Sequence, residues 1–105
     1  MLKATPLVFD GEMDLVVAVE AEGRVFTLAA EVKGRMWSRT PMEQVLAKTR
    51  QPAFVAAVHR EGFPEPIVPV VFGLVIYSGA EEAARQAGVG LFSPHGELVA
   101  PPLRP

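Results

Sequence analysis

Four charged residues have types and a spacing that suit metal-ion chemistry: Glu12, Asp14, Glu31 and Lys33. Two carboxylates that face each other repel, and the repulsion raises the pKa of one of them unless a cation compensates. Mg²⁺ and Mn²⁺ prefer hard oxygen ligands. Lys33 can relieve the repulsion, position a water or stabilise charge on a phosphate. An aspartate with Glu-x-Lys on a neighbouring strand is what metal-assisted phosphodiester hydrolysis requires.

The four residues meet only if two apolar-rich runs, 14–20 and 25–33, form a β-hairpin. The short polar break between the runs contains Glu22 and Gly23, which is typical of a hairpin turn. We therefore predict two antiparallel strands with a turn centred between these two residues.

This register places Asp14 opposite Glu31 and Glu12 opposite Lys33. Because side chains alternate between the two faces of a strand, all four project from one face at the same end of the hairpin. The opposite face is wholly apolar, and we expect it to be buried, which defines the register. It is formed by Leu15, Val17, Val19, Phe26, Leu28, Ala30 and Val32.

The rest of the chain alternates between strand and helix patterns. Thr40 with Glu43, and Ser78 with Glu81, have the spacing of capping boxes that begin helices. Pro69 lies in a long apolar run, and we expect the strand to begin after it. The predicted elements are a strand at 5–9, one kinked or two short helices over 41–61, a buried strand at 67–77, a helix at 80–87 and short strands at 89–92 and 96–99.

Together these elements predict an α/β fold: a mixed β-sheet that contains an antiparallel hairpin and is flanked by helices. The chain has 105 residues, of which 50% are hydrophobic and 21% charged, so one domain over 1–105 is expected and disorder of the whole chain is not. Residues 100–105 are expected to form a loose tail. The absence of cysteine excludes disulfides and thiolate metal sites. With no apolar run long enough for a membrane span and no secretory signal, we expect a cytoplasmic protein.

The net charge of −2 hides an uneven distribution. The stretch from Val32 to Arg60 is basic and has one acidic residue, Glu43. Such a stretch is either a solvated helix face or a surface for nucleic acid. We expect Trp37 to cover the edge of the core, with stacking on a base as the alternative. The residues predicted to contact a phosphate backbone are Arg35, Arg39, Lys48 and Arg50.

The segment from Gly11 to Val16, Gly-Glu-Met-Asp-Leu-Val, followed by Glu31-Val32-Lys33, resembles the catalytic hairpin of the PD-(D/E)xK nuclease superfamily. The likeness is to its Holliday-junction-resolvase-like and restriction-endonuclease-like branches. It implies a restriction-endonuclease-like core in which Asp14, Glu31 and the Val32 backbone carbonyl hold the metal. It further implies catalytic roles for Asp14, Glu31 and Lys33.

The resemblance predicts Mg²⁺- or Mn²⁺-dependent hydrolysis of nucleic acid, DNA rather than RNA. Members of the superfamily usually have a helix, often with a further acidic residue, before the first strand. Only thirteen residues precede Asp14, so we expect a short nuclease-like domain that lacks this helix. Glu12 is then a candidate for the extra acid, or a partner supplies the helix.

Two alternatives to the nuclease stay open. One is a catalytically inactive nuclease fold that serves interaction or dimerisation, and the other is an unrelated α/β binder of small ligands. Because the short N-terminal region leaves a face or an edge of the sheet poorly covered, we also predict a homodimer.

Overall fold

The computed structural model describes residues 2–101 and has a mixed α/β architecture around one six-stranded sheet. The predicted mixed sheet flanked by helices is confirmed. Most of the predicted tail, 102–105, lies outside the described residues. Among residues 2–101, no helix is both long and apolar enough to cross a membrane. The elements are β1 (Lys3–Val8), β2 (Glu12–Ala21), β3 (Arg24–Arg35), α1 (Thr40–Thr49), α2 (Pro52–Arg60), β4 (Ile67–Val75), α3 (Ala80–Ala87), β5 (Gly90–Ser93) and β6 (Gly96–Val99).

The hairpin of β2 and β3 has the predicted register, which runs without a shift from the pair Leu15–Ala30 to the turn. Glu22 and Gly23 occupy the turn with φ values of 53° and 75°. Two successive positive φ angles are the mark of a type I′ turn, whose twist matches that of the flanking strands. The local chemistry of the turn and the apolar alternation of the strands therefore agree.

Strand β2 contains a bulge at Asp14, on the side where it pairs with β1. Thr5 pairs with Val16 and Leu7 pairs with Met13, so Pro6 of β1 faces both Asp14 and Leu15 of β2. Proline has no N–H to contribute to the ladder. A bulge bends the strand and redirects its side chains, and here it lies at the acidic end of the hairpin.

Strands β3, β4 and β5 are parallel neighbours that follow in chain order, and β6 pairs antiparallel with β5 at the edge of the sheet. Helices α1 and α2 form the first crossover and α3 forms the second. Pro69 lies inside β4, so the expectation that the strand begins after it is wrong. Pairing with β5 begins only at Val70. Pro69 therefore lies where β4 has a neighbour on one side only, and a missing N–H is tolerated there.

Neither predicted capping box forms. Arg39 takes the N-cap position of α1, and Thr40 is the first helical residue. The Ser38 hydroxyl donates to the Thr40 hydroxyl at 3.0 Å, so the Thr40 side chain does not cap the helix. Helix α3 follows Gly79, whose φ is 90°, and Ser78 is one position too early to cap it. The helix spans Ala80–Ala87 as predicted, because its apolar stripe and the glycine after it set its length independently of the cap.

The core lies between the helices and one face of the sheet. Fully buried residues of all three helices, such as Met42 in α1, Phe54 in α2 and Ala84 in α3, belong to one apolar cluster. The strand residues of that cluster come from the face that also carries Glu31. They include Val16, Ala18, Ala29, Val71 and Leu91.

The opposite face of the sheet is apolar, and no helix among residues 2–101 lines it. The expectation that this side of the hairpin is buried is wrong in part, because Val32 is 44% exposed. Burial of a sheet face needs a second layer, and the described chain supplies a layer only on the other side. We call this surface the open face and define it by Leu15, Val17, Leu28, Ala30, Val32, Val70, Phe72 and Phe92.

Candidate functional site

Asp14 and Glu31 meet at the end of the hairpin, on adjacent antiparallel strands. They follow the last regular pair, Leu15–Ala30, and lie on the helix-covered face of the sheet. Their carboxyl groups interact directly, and each shifts the pKa of the other. The register of the hairpin therefore brings the two predicted acids into direct contact.

The backbone of the neighbouring strand holds Asp14 in place. Its Oδ2 accepts a hydrogen bond from the Val32 N–H at 2.8 Å. A side chain thus replaces a backbone carbonyl as the partner of this N–H, directly beyond the regular ladder and next to the bulge. The bond leaves Oδ1 and the second lone pair of Oδ2 for another partner.

Glu31 is 2% exposed and forms an ion pair with Lys48. Lys48 lies in the last turn of α1, and its ammonium group also donates to the Glu12 carbonyl oxygen at 2.7 Å. One side chain therefore ties the helix to both strands of the hairpin. A buried carboxyl needs such a partner, because an unpaired charge in the interior is very costly.

The pKa of Asp14 is lowered. Burial acts to raise it, but the Val32 N–H, the hydrogen bond from Glu31 and the charges of Lys33 and Lys48 together outweigh burial. Each of these contacts favours the ionised form of Asp14. Asp14 is therefore the acid that carries the negative charge in this pair.

The pKa of Glu31 is raised. Burial is the largest cause, and the hydrogen bond and charge of Asp14 add to it, while Lys48 acts in the opposite direction. The buried acid of the pair, Glu31, thus retains its proton more readily than the half-buried Asp14. Two carboxyl groups whose pKa values move apart are typical of sites that divide acid and base roles.

Lys33 and Glu12 lie at the outer end of the site. Lys33 is on the same side of β3 as Glu31 because it is two residues further along the strand, and its charge lowers the pKa of Asp14. Glu12 is exposed, and its contact with the site is made through its backbone carbonyl to Lys48. The carboxylate of the predicted extra acid is thus not part of the described contacts.

The residues that can hold a divalent cation are Asp14, Glu31 and the Val32 backbone. The N–H and the C=O of one strand residue point towards the same neighbouring strand. Because the Val32 N–H donates to Asp14 on β2, the Val32 carbonyl also points towards β2. No group of three or more His, Cys, Asp or Glu side chains in the described range 2–101 is placed to hold a metal. The donor set of two carboxylates and a carbonyl still fits Mg²⁺, which usually keeps several waters and binds through one or two carboxylates.

The predicted phosphate contacts do not form one cluster. Lys48 belongs to the carboxylate site, whereas Arg39 pairs with Glu43 at 3.6 Å on the exposed side of α1, and Arg50 is exposed at the end of that helix. The position of Lys48 could not be predicted from strand register, because it depends on how α1 packs on the sheet.

Trp37 is 78% exposed, so the expectation that it covers the edge of the core is wrong. The Arg35 guanidinium lies over its ring at 5.8 Å from the centroid, a cation–π contact. Most of the Trp37 side chain is left to solvent. This is the arrangement on which a base can stack.

Comparison with family models, with curated proteins and with solved structures found no match to this chain.

Proposed function

We propose that this chain hydrolyses phosphodiester bonds of nucleic acid, with Asp14 and Glu31 holding a Mg²⁺ or Mn²⁺ ion. The observation that carries the proposal is the contact between these two carboxyl groups, whose pKa values move in opposite directions. Two lysines, Lys33 and Lys48, act on the same pair. A buried carboxyl beside a half-buried one, with adjacent cations, is costly to build for stability alone, which favours a role in binding or catalysis.

The candidate ligands differ in how far the fold already positions them to bind a cation. Asp14 is ionised and held by the Val32 N–H, so it is preorganised as the first ligand. Glu31 is the second ligand, held beside Asp14 by its ion pair with Lys48, and the Val32 carbonyl adds a third oxygen. When bound, the ion supplies a Lewis acid that activates water and offsets phosphate charge.

The reaction needs one more positive group, and Lys33 provides it. A water oxygen forms a bond to phosphorus, one ester P–O bond breaks, and the leaving oxygen takes up a proton. Lys33 stabilises the negative charge that develops on the phosphate oxygens. Lys48 acts differently, because it neutralises Glu31 and so keeps the buried acid close to Asp14.

Exposed cations between the hairpin and α2 are suited to the phosphate backbone. Arg35, Arg39 and Arg50 are all exposed, and contacts of this kind position a nucleic acid without reading its sequence. The preference for DNA over RNA rests on the resemblance to resolvase-like and restriction-endonuclease-like nucleases. Binding is expected to weaken with salt.

Calorimetric titration with Mn²⁺ and cleavage of circular plasmid DNA with Mg²⁺ test the proposal together. The wild type is expected to bind Mn²⁺ saturably and to nick the plasmid. Asp14→Asn should lose both properties because it removes a charged ligand. Lys33→Ala should bind Mn²⁺ almost normally but cleave at least about 100-fold more slowly, because Lys33 acts on the transition state.

Glu20→Gln is the matched control, since Glu20 is an exposed acid of the same strand outside the site, and it should behave as the wild type. A wild-type chain that neither binds Mn²⁺ nor cleaves plasmid, single-stranded DNA or RNA would refute the proposal.

One observation favours the alternative of an inactive interaction module. The Lys48 ion pair already compensates the buried acid, and the Val32 N–H stabilises Asp14, so the fold does not need a metal to tolerate the two acids. In that case Mn²⁺ binding is absent, while nucleic acid or another partner still binds.

A further inference from the structure

Trp37 is 78% exposed, more than any other large apolar side chain among residues 2–101, yet the backbone that carries it is held in place. The preceding residue, Met36, is 2% exposed, and its N–H donates to the Val75 carbonyl oxygen at 2.8 Å. The Met36 side chain packs so closely on Gly73 that a Cβ there would lie 2.8 Å from the sulfur. The indole therefore projects into solvent from a position that the sheet and the core fix.

A row of charged side chains leads along β3 from the acids towards this indole. Glu31, Lys33 and Arg35 are two residues apart, so their side chains lie on the same face of the strand. The pairing of β3 with β4 keeps its register as far as Arg35, so the alternation of faces is regular to the end of the strand. The Arg35 guanidinium lies 5.8 Å from the centre of the Trp37 ring. The acid, two cations and an aromatic ring thus follow one another in one direction.

The charge of Arg35 can be used to bind an anion. Its side chain is exposed, and no acidic side chain within the described part of the chain forms an ion pair with it. Glu43, the one acid of the basic segment, pairs with Arg39 at 3.6 Å. A cation–π contact at an exposed site is weak, so Trp37 orients the Arg35 guanidinium without preventing its contact with a phosphate.

An exposed indole beside such an arginine suits an unpaired nucleotide. The bases of a duplex are stacked on one another, whereas an unpaired base offers its face to an aromatic ring while its phosphate contacts a cation. Proteins that bind single strands combine these two features, a positively charged path for the backbone and aromatic side chains for the bases. An apolar protein surface is a poorer match, because it would bury the charge of Arg35 without a partner.

We propose that Trp37 and Arg35 bind an unpaired nucleotide, with the base stacked on the indole and the phosphate at the guanidinium. The substrates of this chain then contain a single-stranded segment beside the bond that is cut, a statement that rests on the proposed function. Four residues of β3 separate Glu31 from Arg35, about 13 Å at ~3.3 Å per residue. That distance is the length of about four stacked nucleotides at ~3.4 Å each, so one short segment reaches both the acids and the indole.

Fluorescence anisotropy in EDTA tests the binding site without metal or cleavage. The labelled probes are a DNA strand of about 15 thymidines, an RNA strand of about 15 uridines and a blunt DNA duplex of the same length. Trp37→Leu should weaken binding of a single strand at least about fivefold but leave duplex binding within about twofold, because only an unpaired base stacks on the ring. The effect may be confined to DNA or RNA or common to both, and each of these results supports the site.

Three further variants separate stacking from charge. Trp37→Phe should restore part of the single-strand affinity, because it keeps an aromatic ring. Arg35→Gln should weaken binding of the single strands and of the duplex, because both have phosphates. Arg24→Gln is the matched control, since Arg24 is an exposed arginine at the other end of the same strand, and it should bind all probes as the wild type does. If Trp37→Leu is folded by circular dichroism and affects single strands and duplex equally, or neither, the binding site is refuted.

Cleavage with Mg²⁺ tests the statement about substrates on a labelled duplex with a single-stranded overhang. The wild type should cut this probe faster than the blunt duplex, and Trp37→Leu should remove the difference. Equal cleavage of the two probes by the wild type overturns the statement about substrates. A chain that cuts neither probe but loses single-strand affinity in Trp37→Leu refutes the proposed function and its substrates, while the binding site stands.

Discussion

The carboxyl groups of Asp14 and Glu31 are in contact, and their pKa values shift in opposite directions. The pKa of Asp14 is lowered and that of Glu31 is raised. The difference has a structural cause. Asp14 receives hydrogen bonds from the Val32 N–H and from Glu31, whereas Glu31 is buried and faces the negative charge of its neighbour. Such a pair affects stability as well as chemistry, because a pKa that changes on folding makes stability depend on pH.

Glu31→Gln is expected to raise the melting temperature of the metal-free protein at neutral pH. The raised pKa of Glu31 means that its contribution to stability is complete below its unfolded pKa of about 4.3 and is lost as the pH rises through the folded value. Glutamine does not titrate and can still donate to Asp14 and accept from Lys48. The gain should therefore be small near pH 4 and increase with pH. Thermal melts of both proteins in EDTA across this range measure it, and each kcal/mol corresponds to about 4–8 °C.

Asp14→Asn is the contrasting variant in the same experiment. The lowered pKa of Asp14 gives stability that is present above its unfolded pKa of about 3.9 and lost as the pH falls through the folded value. The amide accepts from the Val32 N–H more weakly, so we expect a loss of about 1 kcal/mol at neutral pH. If both variants change stability in the same direction at neutral pH, the assignment of opposite roles is wrong.

Trp37 is the single tryptophan of the chain and is 78% exposed beside Arg35. We expect single-stranded DNA to quench its fluorescence, because bases stack on exposed indole rings. Trp37→Ala should weaken this binding about 5- to 150-fold, which corresponds to the ~1–3 kcal/mol typical of one stacked base. The same variant should leave the free energy of unfolding within about 0.5 kcal/mol. Unchanged fluorescence at saturating DNA would rule out a stacking role.

At the scale of elements, the β2–β3 hairpin is what brings the acids together. Its type I′ turn and unbroken pairing set the register, and the bulge at Asp14 lets the side chain, not the backbone, pair with the Val32 N–H. Helix α1 then adds Lys48 from the other layer. The site therefore depends on two independent elements, one local and one distant in sequence.

Gly23→Ala is expected to destabilise the protein by about 1 kcal/mol, because Gly23 has a φ of 75° and an L side chain is strained there. Urea unfolding followed by circular dichroism measures the change. Gly34→Ala is the control, since a Cβ at Gly34 meets nothing within 4 Å and that residue has no positive φ. Equal losses for both variants would show that the turn geometry is not what matters.

The basic segment after β3 gives a prediction about salt. If the chain binds DNA as proposed, Arg35→Ala and Arg50→Ala should each lower the slope of log affinity against log salt concentration by about one. Lys48→Ala should lower it less, because Glu31 already compensates the charge of Lys48.

Fluorescence anisotropy with labelled duplex DNA in EDTA measures these slopes. Arg24→Ala, at the hairpin turn and outside the segment, is the control and should leave the slope unchanged. A full unit lost in Lys48→Ala would mean that Lys48 contacts a phosphate.

At the scale of the whole molecule, the protein is a two-layer structure of 37 × 33 × 22 Å. The smallest extent fits one sheet with one helical layer, since layers pack about 10 Å apart. All described helices contribute to the core on the face that carries Glu31. The architecture is therefore one-sided, with the candidate site in the covered layer and the apolar open face outside it.

The homodimer predicted from the sequence makes stability depend on concentration. The melting temperature of the wild type should rise as the protein concentration is increased from about 1 to 100 μM, because association favours the folded state by mass action. Phe72→Glu should melt at a temperature independent of concentration. Differential scanning fluorimetry over this range distinguishes the two, and a wild-type melting temperature that does not change with concentration contradicts the dimer.

Local patterns in the sequence were sufficient to predict the hairpin, its turn and the meeting of Asp14 with Glu31. Apolar alternation permits only one register without exposing core residues, and the glycine of the turn permits the positive φ that this register needs. The extent of α3 followed in the same way from its own residues. These features depend on interactions between residues close in the chain or directly paired across one hairpin.

Other features depended on how the layers pack, and only the tertiary structure decided them. Lys48 joins the acids because α1 packs against the sheet beside Glu31, and Trp37 is exposed although the preceding residue, Met36, is part of the core. The apolar alternation predicted burial of the hairpin face that carries Leu15 and Val17, but the helices cover the other face, and the alternation could not specify which face they cover. Apolar residues that alternate with a period of two indicate that one face of a strand is apolar. Whether that face is buried depends on whether another element, or another molecule, packs against it.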